Sequence, residues 1–498
     1  MDKSFLHFFS LFRDIKMKEF HVLGIDGGGS KGLMEAIIIQ DVMNAATVIA
    51  HNPDRVLDII QASKKEENRD RDLFGPQAVK DQFILEMKAV KDKDAIHPTE
   101  VFDMIIGTSV GALMAFGLVG GNVNSEGERE IMTLQEIVNF MREKTSDIWP
   151  NSGFLKGLWS SIKSCTCRLY SPCGLYQIFE EQFGQTTLQS FKNKCIAAAV
   201  ATRFGKKDDE DDEVIDTLEI FDTHSKSMNY PVTEVLKATS NAPVYFKTPI
   251  RISEIAYVDG GLGGNCPMSQ GVKRMKEIRK RSKFGTGLSI APPRGYPTGE
   301  PNGLKFWLWD YFRKKTTDGF SFYCEYKKNH PRGTNQRIYP RSEKAKTFET
   351  NDKRVDEMIA CMEEEQKTAL YLNEVASAAI VIAARVVKTD GVAKLWDIAR
   401  EFIDFKRNPR NSTAERIAAQ VDNDLAIMNA MSKIELDKNS SMRHQILLKQ
   451  ARIQKAAHDY DDAKETLEKI NLENDNVDTD TKDEIQFLLN DINSVEED

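Results

Sequence analysis

Short apolar runs that end in glycine-rich turns divide the first part of the chain into strands and helices. Residues 101–106 are apolar except for Asp103 and partly β-branched, as in an interior parallel strand, and residues 112–118 can continue as a helix. Residues 21–25 and 195–201 predict two further buried strands, and residues 33–50 predict a long helix after the first of them. This pattern favours an α/β fold with a mostly parallel central sheet.

The pattern changes near residue 346, after which helix-forming residues follow one another without strand signals. Apolar positions recur there at helical spacing, in one stripe that begins at Val355 and in another that begins at Tyr460. We therefore predict an α/β domain over residues 19–345 and an all-helical C-terminal domain over residues 346–498.

Charge and aromatic content characterise the segments outside these elements. Residues 1–18 are rich in Phe and Leu and predict a short amphipathic arm, which either touches a lipid surface or packs on the body of the protein. Residues 64–99 indicate a charged surface insertion, and residues 206–213 an exposed hairpin tip. Residues 273–283 are densely basic and either contact anionic lipid headgroups or form a solvated helix face. The aromatic segment 304–326 indicates core packing or a lid.

Composition limits the class of protein. The chain of 498 residues is too long for one ordinary core, and its net charge of −8 argues against general nucleic-acid binding. Its seven cysteines are scattered and lack zinc-site spacing with histidine, which suits a reducing compartment. The N-terminus shows no Sec leader, and no uncharged stretch has the length of a membrane-spanning helix. We therefore expect a cytoplasmic protein with no transmembrane segment, no metal and no cofactor.

The first chemical candidate is Ser109, which stands between an apolar strand and a helix in the pattern G-x-S-x-G. Gly107 and Gly111 allow the backbone to make the tight, strained turn that exposes a nucleophilic hydroxyl. A glycine-rich turn without chemistry is the alternative for this motif taken alone.

A second glycine-rich turn, which we call the glycine loop, joins the first strand to the long helix. Three successive glycines leave backbone N–H groups unshielded at a helix N-terminus, where the helix dipole favours negative charge. Such a nest binds either a phosphate or the oxyanion that forms when a serine attacks an ester. The glycine loop consists of Asp26, Gly27, Gly28, Gly29, Ser30, Lys31 and Gly32.

The third chemical candidate, Asp259, ends a predicted strand and precedes Gly260 and Gly261, which let the chain turn away. Open α/β sheets place their working groups at the carboxyl ends of strands, so we expect Asp259 near the serine. Burial can raise the pKa of such a carboxylate and make it a base for a serine hydroxyl, so no histidine is required. None of the eight histidines lies in a motif, although the sequence leaves His97 and His224 open.

Four motifs, in this order, closely resemble those of the patatin-like phospholipase family over roughly residues 20–345. Two positions depart from the family pattern. Lys31 stands where arginine is more usual, which keeps the charge but loses the planar fork. The last motif continues as Gly-Gly-Asn-Cys-Pro, where paired asparagines are more usual. The four motifs are Asp26-Gly-Gly-Gly-Ser-Lys-Gly32, Gly107-Thr-Ser-Val-Gly111, Ala238-Thr-Ser-Asn-Ala-Pro243 and Asp259-Gly-Gly261.

The resemblance implies a patatin-like three-layer sandwich and a lipid acyl hydrolase of phospholipase A type. Such an enzyme cleaves fatty-acyl esters of membrane glycerolipids through an acyl-enzyme, in peripheral contact with a membrane. The resemblance implies Ser109 as nucleophile, Asp259 as general base, and the amides of Gly27, Gly28 and Gly29 as oxyanion hole. The supporting motif positions are Lys31, Gly32, Gly107, Gly111, Gly260 and Gly261. The extra helical domain adds the hypothesis that a protein regulator or membrane partner binds there.

Two alternatives stay open at this point. The stretch from Gly24 to Lys31 also looks like the first phosphate loop of actin-like ATPase-type sugar kinases, in which the next residue is commonly threonine. Here that residue is Gly32, and the kinase interpretation leaves Ser109 and Asp259 without roles. The other alternative is a catalytically silent scaffold whose C-terminal helices bind a partner, against which the intact serine, aspartate and glycine set argues.

Overall fold

A computed structural model of the chain shows strands and helices that alternate up to Ile338, after which only helices follow within the described residues. The structure describes residues 18–65, 77–148, 173–206, 213–225, 229–242, 249–293, 319–330, 333–347, 354–387, 391–405, 414–434, 441–472 and 479–496. The strands are β1 (Glu19–Ile25), β2 (Met104–Thr108), β3 (Asn122–Val123), β4 (Arg129–Glu130), β5 (Ile196–Lys206), β6 (Glu213–Asp222), β7 (Ile250–Ile252), β8 (Ile255–Asp259), β9 (Lys283–Ile290) and β10 (Asn335–Ile338).

Helices connect most of these strands and make up the C-terminal part. Short 3-10 turns precede or connect some of them, and one of these turns covers Gly29–Lys31 in the glycine loop. The helices are α1 (Gly32–His51), α2 (Pro53–Lys65), α3 (Gln77–Ala89), α4 (Pro98–Val101), α5 (Val110–Gly120), α6 (Leu134–Ile148), α7 (Cys173–Phe183), α8 (Val232–Thr239), α9 (Gly261–Gly264), α10 (Met268–Ile278), α11 (Gly319–Lys328), α12 (Glu343–Thr347), α13 (Val355–Gln366), α14 (Ala369–Val386), α15 (Val392–Phe405), α16 (Ala414–Ser432), α17 (Ser441–Ala456), α18 (Tyr460–Leu472) and α19 (Thr479–Glu496).

The main sheet is mixed, with mostly parallel strands. Its order is β10-β9-β1-β2-β5-β8-β7, and β6 also pairs with β5. From β10 to β5 the neighbouring strands run parallel. By contrast, β6 and β8 run antiparallel to β5, and β7 runs antiparallel to β8. The predicted α/β class is therefore confirmed.

Helices cover both faces of the sheet. Side chains alternate between the faces of a strand, so Leu23 and Ile105 join the core on the α1 and α5 side. Val22 and Ile106 join a second core with Met268 of α10 on the other side. Every residue of β2 is buried, as expected for a strand with helices on both faces. The result is the predicted three-layer sandwich.

The helical C-terminal region is also confirmed, and part of it packs directly on the sandwich. The main core on the α1 side continues into α13, α14, α15 and α16. Tyr371 of α14 donates a 2.7 Å hydrogen bond to Asp41 of α1, and Gln366 donates to both Asp41 carboxylate oxygens at 3.0 and 2.9 Å. The last three helices, α17 to α19, form a separate apolar cluster. The boundary between residues 345 and 346 stays a prediction.

The sequence pattern places the end of the sheet too early. It indicates residues 285–290 as the last strand, whereas β10 pairs in parallel with β9 beyond them. β10 has no apolar pattern that would predict a strand, because its polar side chains are buried with hydrogen-bond partners. Gln336 donates to Ser377 Oγ at 2.8 Å, and Asn335 accepts a hydrogen bond from the Tyr326 hydroxyl.

Other predictions have mixed outcomes. The surface insertion over residues 64–99 is wrong for α3, because its Phe83 and Met87 are buried in the main core. The hairpin of β5 and β6 forms as predicted. Its tip at residues 207–212 lies outside the described residues, as do the N-terminal arm up to residue 17 and most of the aromatic segment.

Two helices of the described chain are long and apolar enough to cross a membrane by length and composition alone. They are the segment Gly29–His51, which contains α1, and the segment Ala369–Val386, which is α14. Within the described residues, 83% of the first and 67% of the second are buried inside the protein. The two helices pack against each other, so protein contacts account for their apolar character.

Candidate active site

Ser109 occupies a strained turn between β2 and α5. Its φ of 55° and ψ of −123° lie in a region that residues with a side chain rarely adopt. The turn brings backbone so close that only glycine fits on either side. A Cβ on Gly107 would lie 2.0 Å from the Gly111 carbonyl carbon, and a Cβ on Gly111 would lie 2.4 Å from the Ile25 carbonyl oxygen. This geometry is that of a nucleophile elbow.

Ser109 and Asp259 meet because two strands approach each other end to end along β5. β2 pairs in parallel with the first half of β5, where Thr108 lies opposite Val200. β8 pairs antiparallel with the second half, where Asp259 lies opposite Ala201. Since Val200 and Ala201 are adjacent, the carboxyl ends of β2 and β8 face each other. The Ser109 hydroxyl donates a hydrogen bond to the Asp259 carboxylate.

This arrangement corrects the reason given for expecting Asp259 near the serine. The rule for carboxyl ends applies to parallel strands, but β8 runs antiparallel to β5. The two side chains come together because β5, with its 11 residues, is long enough to pair with β2 and β8 in succession.

The environment of Asp259 makes it a base that titrates near neutrality. Its side chain is buried, and Oδ1 accepts a 2.7 Å hydrogen bond from the Gly261 amide. Burial raises the pKa of Asp259 to about 7, while the hydrogen bonds from Gly261 and Ser109 act to lower it. A carboxylate with such a pKa accepts a proton from a hydroxyl more readily than an exposed one.

Two residues of the Ala-Thr-Ser-Asn-Ala-Pro motif accept hydrogen bonds from the backbone amides of Ser109 and Asp259. Thr239 Oγ1 accepts a 3.0 Å hydrogen bond from the Ser109 amide and donates one to the Val200 carbonyl. The Asp259 amide donates to the Asn241 carbonyl at 3.1 Å. The sequence identifies this motif only by resemblance and assigns it no role. Its contacts show that it connects the serine turn to the end of β8.

The glycine loop lies directly against the serine, since a Cβ on Gly27 would be 3.3 Å from the Ser109 Cβ. Gly27 is itself engaged: its amide donates to Asn265 Oδ1 at 3.1 Å, and its carbonyl accepts from Asn265 Nδ2 at 2.9 Å. Among the residues that the structure describes, the amides of Gly28 and Gly29 have no acceptor. The Gly27 amide therefore already has an acceptor. Of the three glycine amides expected to bind an oxyanion, those of Gly28 and Gly29 remain available.

Charged side chains are buried beneath the glycine loop. Asp26 forms an ion pair with Arg337 of β10, with 2.5 Å between Oδ2 and Nη2. Glu35, in the first turn of α1, is fully buried, and neither of its oxygens has a hydrogen-bond partner in the part of the chain that the structure describes. Burial, and then the charge of Asp26, raise the pKa of Glu35 well above its usual range. The protonated form is therefore favoured, and a neutral acid does not repel an oxyanion nearby.

The two histidines that the sequence leaves open have other roles. His97 is buried, its Nε2 lies 3.0 Å from the Met132 carbonyl oxygen, and its side chain caps α4. His224 lies in the turn after β6, where its amide donates to Asp222. Within the described part of the chain, no histidine is hydrogen-bonded to Ser109 or to the acid facing it.

Comparison with known proteins bears on the residues around this site. Residues 95–271 match the family model described as patatin-like phospholipase, a range that contains Ser109 and Asp259 and begins after the glycine loop. The α/β region is therefore similar to the patatin-like phospholipase family.

A curated relative supports the same family. This chain is 28% identical over 183 residues to a protein named cGAMP-activated phospholipase from Pseudomonas aeruginosa. The aligned part covers 35% of this chain and 46% of that protein, so the chain spans about half of the relative that it matches. The similarity to that protein is therefore partial and does not establish the activity of the whole chain.

Proposed function

We propose that this protein is a lipid acyl hydrolase of phospholipase A type, in which Ser109 and Asp259 form a catalytic dyad. The observation that supports this most strongly is the hydrogen bond between the Ser109 hydroxyl and the buried Asp259 carboxylate, beside amides that have no acceptor among the described residues. The match to the patatin-like phospholipase model supports ester hydrolysis over sugar phosphorylation. It also gives roles to two side chains that the kinase interpretation leaves unused.

The reaction proceeds in two halves. Ser109 Oγ attacks the acyl carbonyl carbon while its proton passes to Asp259, and the tetrahedral intermediate then collapses to an acyl-enzyme. The leaving alcohol, a lysolipid, takes the proton from Asp259. A water molecule then gives its proton to Asp259 and attacks the acyl-enzyme, which releases the fatty acid and restores the Ser109 proton.

The glycine loop stabilises the negative oxygen in both halves. We assign the amides of Gly28 and Gly29 as donors, because they have no acceptor among the described residues and precede the buried helix α1. The partial positive charge of the helix N-terminus adds to their effect. The Gly27 amide contributes indirectly, since its bonds to Asn265 fix the start of the loop. The loss of one such donor typically costs about 2.7 to 4 kcal/mol of barrier.

Membrane glycerolipids are the proposed substrate class, reached by peripheral contact with a lipid surface. The basic run of residues 273–283, which begins within α10, is not placed to make this contact beside the serine. Arg279 forms an ion pair with Asp103, with 2.6 Å between Nη1 and Oδ1, and Asp103 precedes β2 whereas Ser109 follows it. The basic run therefore lies at the opposite end of the strands from the site.

The C-terminal helices supply a route for a regulator. α14 packs along α1, which begins at the glycine loop, so a ligand or partner that shifts α14 would displace the oxyanion donors. The Pseudomonas relative is named for activation by cGAMP. We extend to this protein the proposal that its activity responds to a regulator, and we test it on the full chain. Removal of residues 346–498 would uncover the apolar side of α1.

The decisive experiment incubates phospholipid vesicles with the full chain and with Ser109→Ala, with and without cGAMP. Mass spectrometry of the lipid extract is expected to show free fatty acid and lysolipid only with the unaltered protein. Equal release by Ser109→Ala would refute the serine mechanism. Absence of release by the unaltered protein in every vesicle composition, with phosphorylation of a sugar by ATP, would favour the kinase alternative.

A further inference from the structure

Arg337 reaches the glycine loop from a distant part of the chain. It lies on β10, and its guanidinium makes two contacts with Asp26: Nη1 to Oδ1 at 3.2 Å and Nη2 to Oδ2 at 2.5 Å. Both side chains are buried, with 7% of Arg337 and 1% of Asp26 exposed. Burial alone would lower the pKa of the Arg337 guanidinium, but the charge of Asp26 raises it, which favours the charged guanidinium. A two-point pair of this kind fixes orientation as well as distance.

Neighbouring groups restrain the ion pair of Arg337 and Asp26. The Arg337 guanidinium lies 5.0 Å from the centre of the Tyr323 ring, and its Nη1 also donates to Ser289 Oγ. Gly319, at the start of α11, lies directly against the pair, and a Cβ there would be 1.9 Å from Asp26 Oδ2. No side chain fits at that position. Residues of β9 and α11 therefore enclose the pair that Asp26 forms with Arg337 of β10.

Asp26 connects the ion pair with Arg337 to the proposed oxyanion donors. Its amide donates to the Ile290 carbonyl at 3.0 Å, which ties the end of β1 to β9. The next two residues are Gly27, held by Asn265, and Gly28, whose amide has no acceptor in the described chain. A glycine-rich segment has no side chains of its own to define its shape. Its conformation must therefore come from contacts at its ends.

We propose that Arg337 is a positioning residue that holds the glycine loop, through Asp26, with its free amides directed at the carbonyl oxygen of the substrate. This inference rests on the proposed ester hydrolysis. Arg337 acts through Asp26 and not on the substrate. Its loss should therefore lower the rate of the chemical step and leave substrate binding nearly unchanged.

The test compares Arg337→Lys with the unaltered protein on a fluorogenic acyl ester. Lysine keeps the charge but cannot make the two-point contact. We expect kcat to fall 10- to 100-fold, because amides displaced from the oxyanion act as weakened donors, and KM to stay within threefold. A folded Arg337→Lys variant with kcat within threefold of the unaltered protein would overturn the proposal.

Arg274→Lys is the matched control. Arg274 also pairs with a fully buried aspartate, Asp222, at 2.8 Å, but that pair joins α10 to the end of β6 and does not touch the glycine loop. We expect kcat of Arg274→Lys within twofold of the unaltered protein at a similar loss of thermal stability. An equal fall of kcat in both variants would show a general effect of destabilisation and overturn the assignment.

A second variant and a second measurement keep the test independent of folding and of the proposed function. If Arg337→Lys fails to fold, Asp26→Asn with Arg337→Met removes both charges together, and we expect a folded protein with kcat at least tenfold reduced. Hydrogen exchange of the peptide that covers residues 26–32 is expected to rise in Arg337→Lys and not in Arg274→Lys. Unchanged exchange would overturn the positioning role, even if the unaltered protein hydrolyses no ester.

Discussion

The two sides of the site are built in different ways. On the serine side, Ser109 and Asp259 are placed by the pairing of consecutive residues of β5 with two strands, and Thr239 and Asn241 bind their amides. On the side of the glycine loop, the backbone is held by side chains that come from far along the chain, Asn265 and Arg337. The serine side is therefore fixed by the sheet, whereas the loop side depends on single side-chain contacts.

The largest expected effect comes from the serine side. Ser109→Ala and Asp259→Asn should each reduce kcat for a fluorogenic acyl ester by at least a thousandfold, because each removes a participant in the chemical step. Activity measured with thermal unfolding on the same samples checks this. Turnover retained by either folded variant would contradict the dyad.

The stability of Asp259→Asn provides an internal control. Burial raises the pKa of Asp259 from 3.8 to about 7, so this group favours the folded state at low pH, and that contribution is lost as the pH rises through 7. The shift corresponds to about 4 kcal/mol. Asparagine does not titrate, so Asp259→Asn should gain in stability relative to the unaltered protein between pH 4 and pH 8.

A smaller effect is expected on the loop side. Asn265→Ala removes both hydrogen bonds to Gly27 and should lower kcat about 10- to 100-fold, because the loop shifts but its amides remain. The buried groups left without partners cost about 1 to 3 kcal/mol each in stability.

Asn335→Ala is the control for that change. Asn335 is similarly buried, accepts from the Tyr326 hydroxyl and donates to Thr334, but it does not contact the glycine loop. We expect a comparable loss of stability with kcat within threefold of the unaltered protein. Equal losses of kcat in both variants would remove the distinction between the two sides.

The pH dependence of kcat/KM tests whether Asp259 acts as the base. The base must be ionised to accept the serine proton, so kcat/KM should rise with pH through an apparent pKa of about 7 and change about tenfold between pH 6 and pH 8. A profile on a substrate without titratable groups measures this. A rise centred near 4 would show an exposed carboxylate and contradict the buried dyad.

The smallest effect is expected at Glu35. Its pKa is raised by burial and by Asp26, so it favours the folded state at low pH and loses that contribution as the pH rises through its folded-state pKa. Glu35→Gln mimics the protonated acid, and we expect kcat within twofold and a gain in Tm, relative to the unaltered protein, that grows with pH. A large fall of kcat in Glu35→Gln would show that the ionised acid takes part in the site.

The sequence predicts the serine side better than the loop side for a physical reason. Ser109 with its glycines, and Asp259 with the glycines after it, are local patterns, because close backbone approach demands glycine at fixed spacing. The α/β class and the C-terminal helices are also predicted from local periodicity, whereas the three layers are implied by the resemblance to the patatin-like family. The sequence could not predict that β8 runs antiparallel, since an apolar run of five residues carries no direction.

The contacts of the loop side have no local signal. Arg337 belongs to Asn335-Gln-Arg-Ile338, a stretch with no apolar alternation, and it is separated from Asp26 by 311 positions. Asn265 fits the usual motif, in which Cys266 is the departure, and the motif alone does not indicate its contact with Gly27. The engagement of the Gly27 amide follows from Asn265, so the sequence alone could not separate it from the amides of Gly28 and Gly29.

One measurement tests the central claim most directly: the rate and position of covalent labelling by a fluorophosphonate, followed by peptide mapping. The account predicts one phosphonyl group per chain, on Ser109, formed at least a hundredfold more slowly in Asp259→Asn. Labelling of a different serine, or an unchanged rate in folded Asp259→Asn, would contradict it.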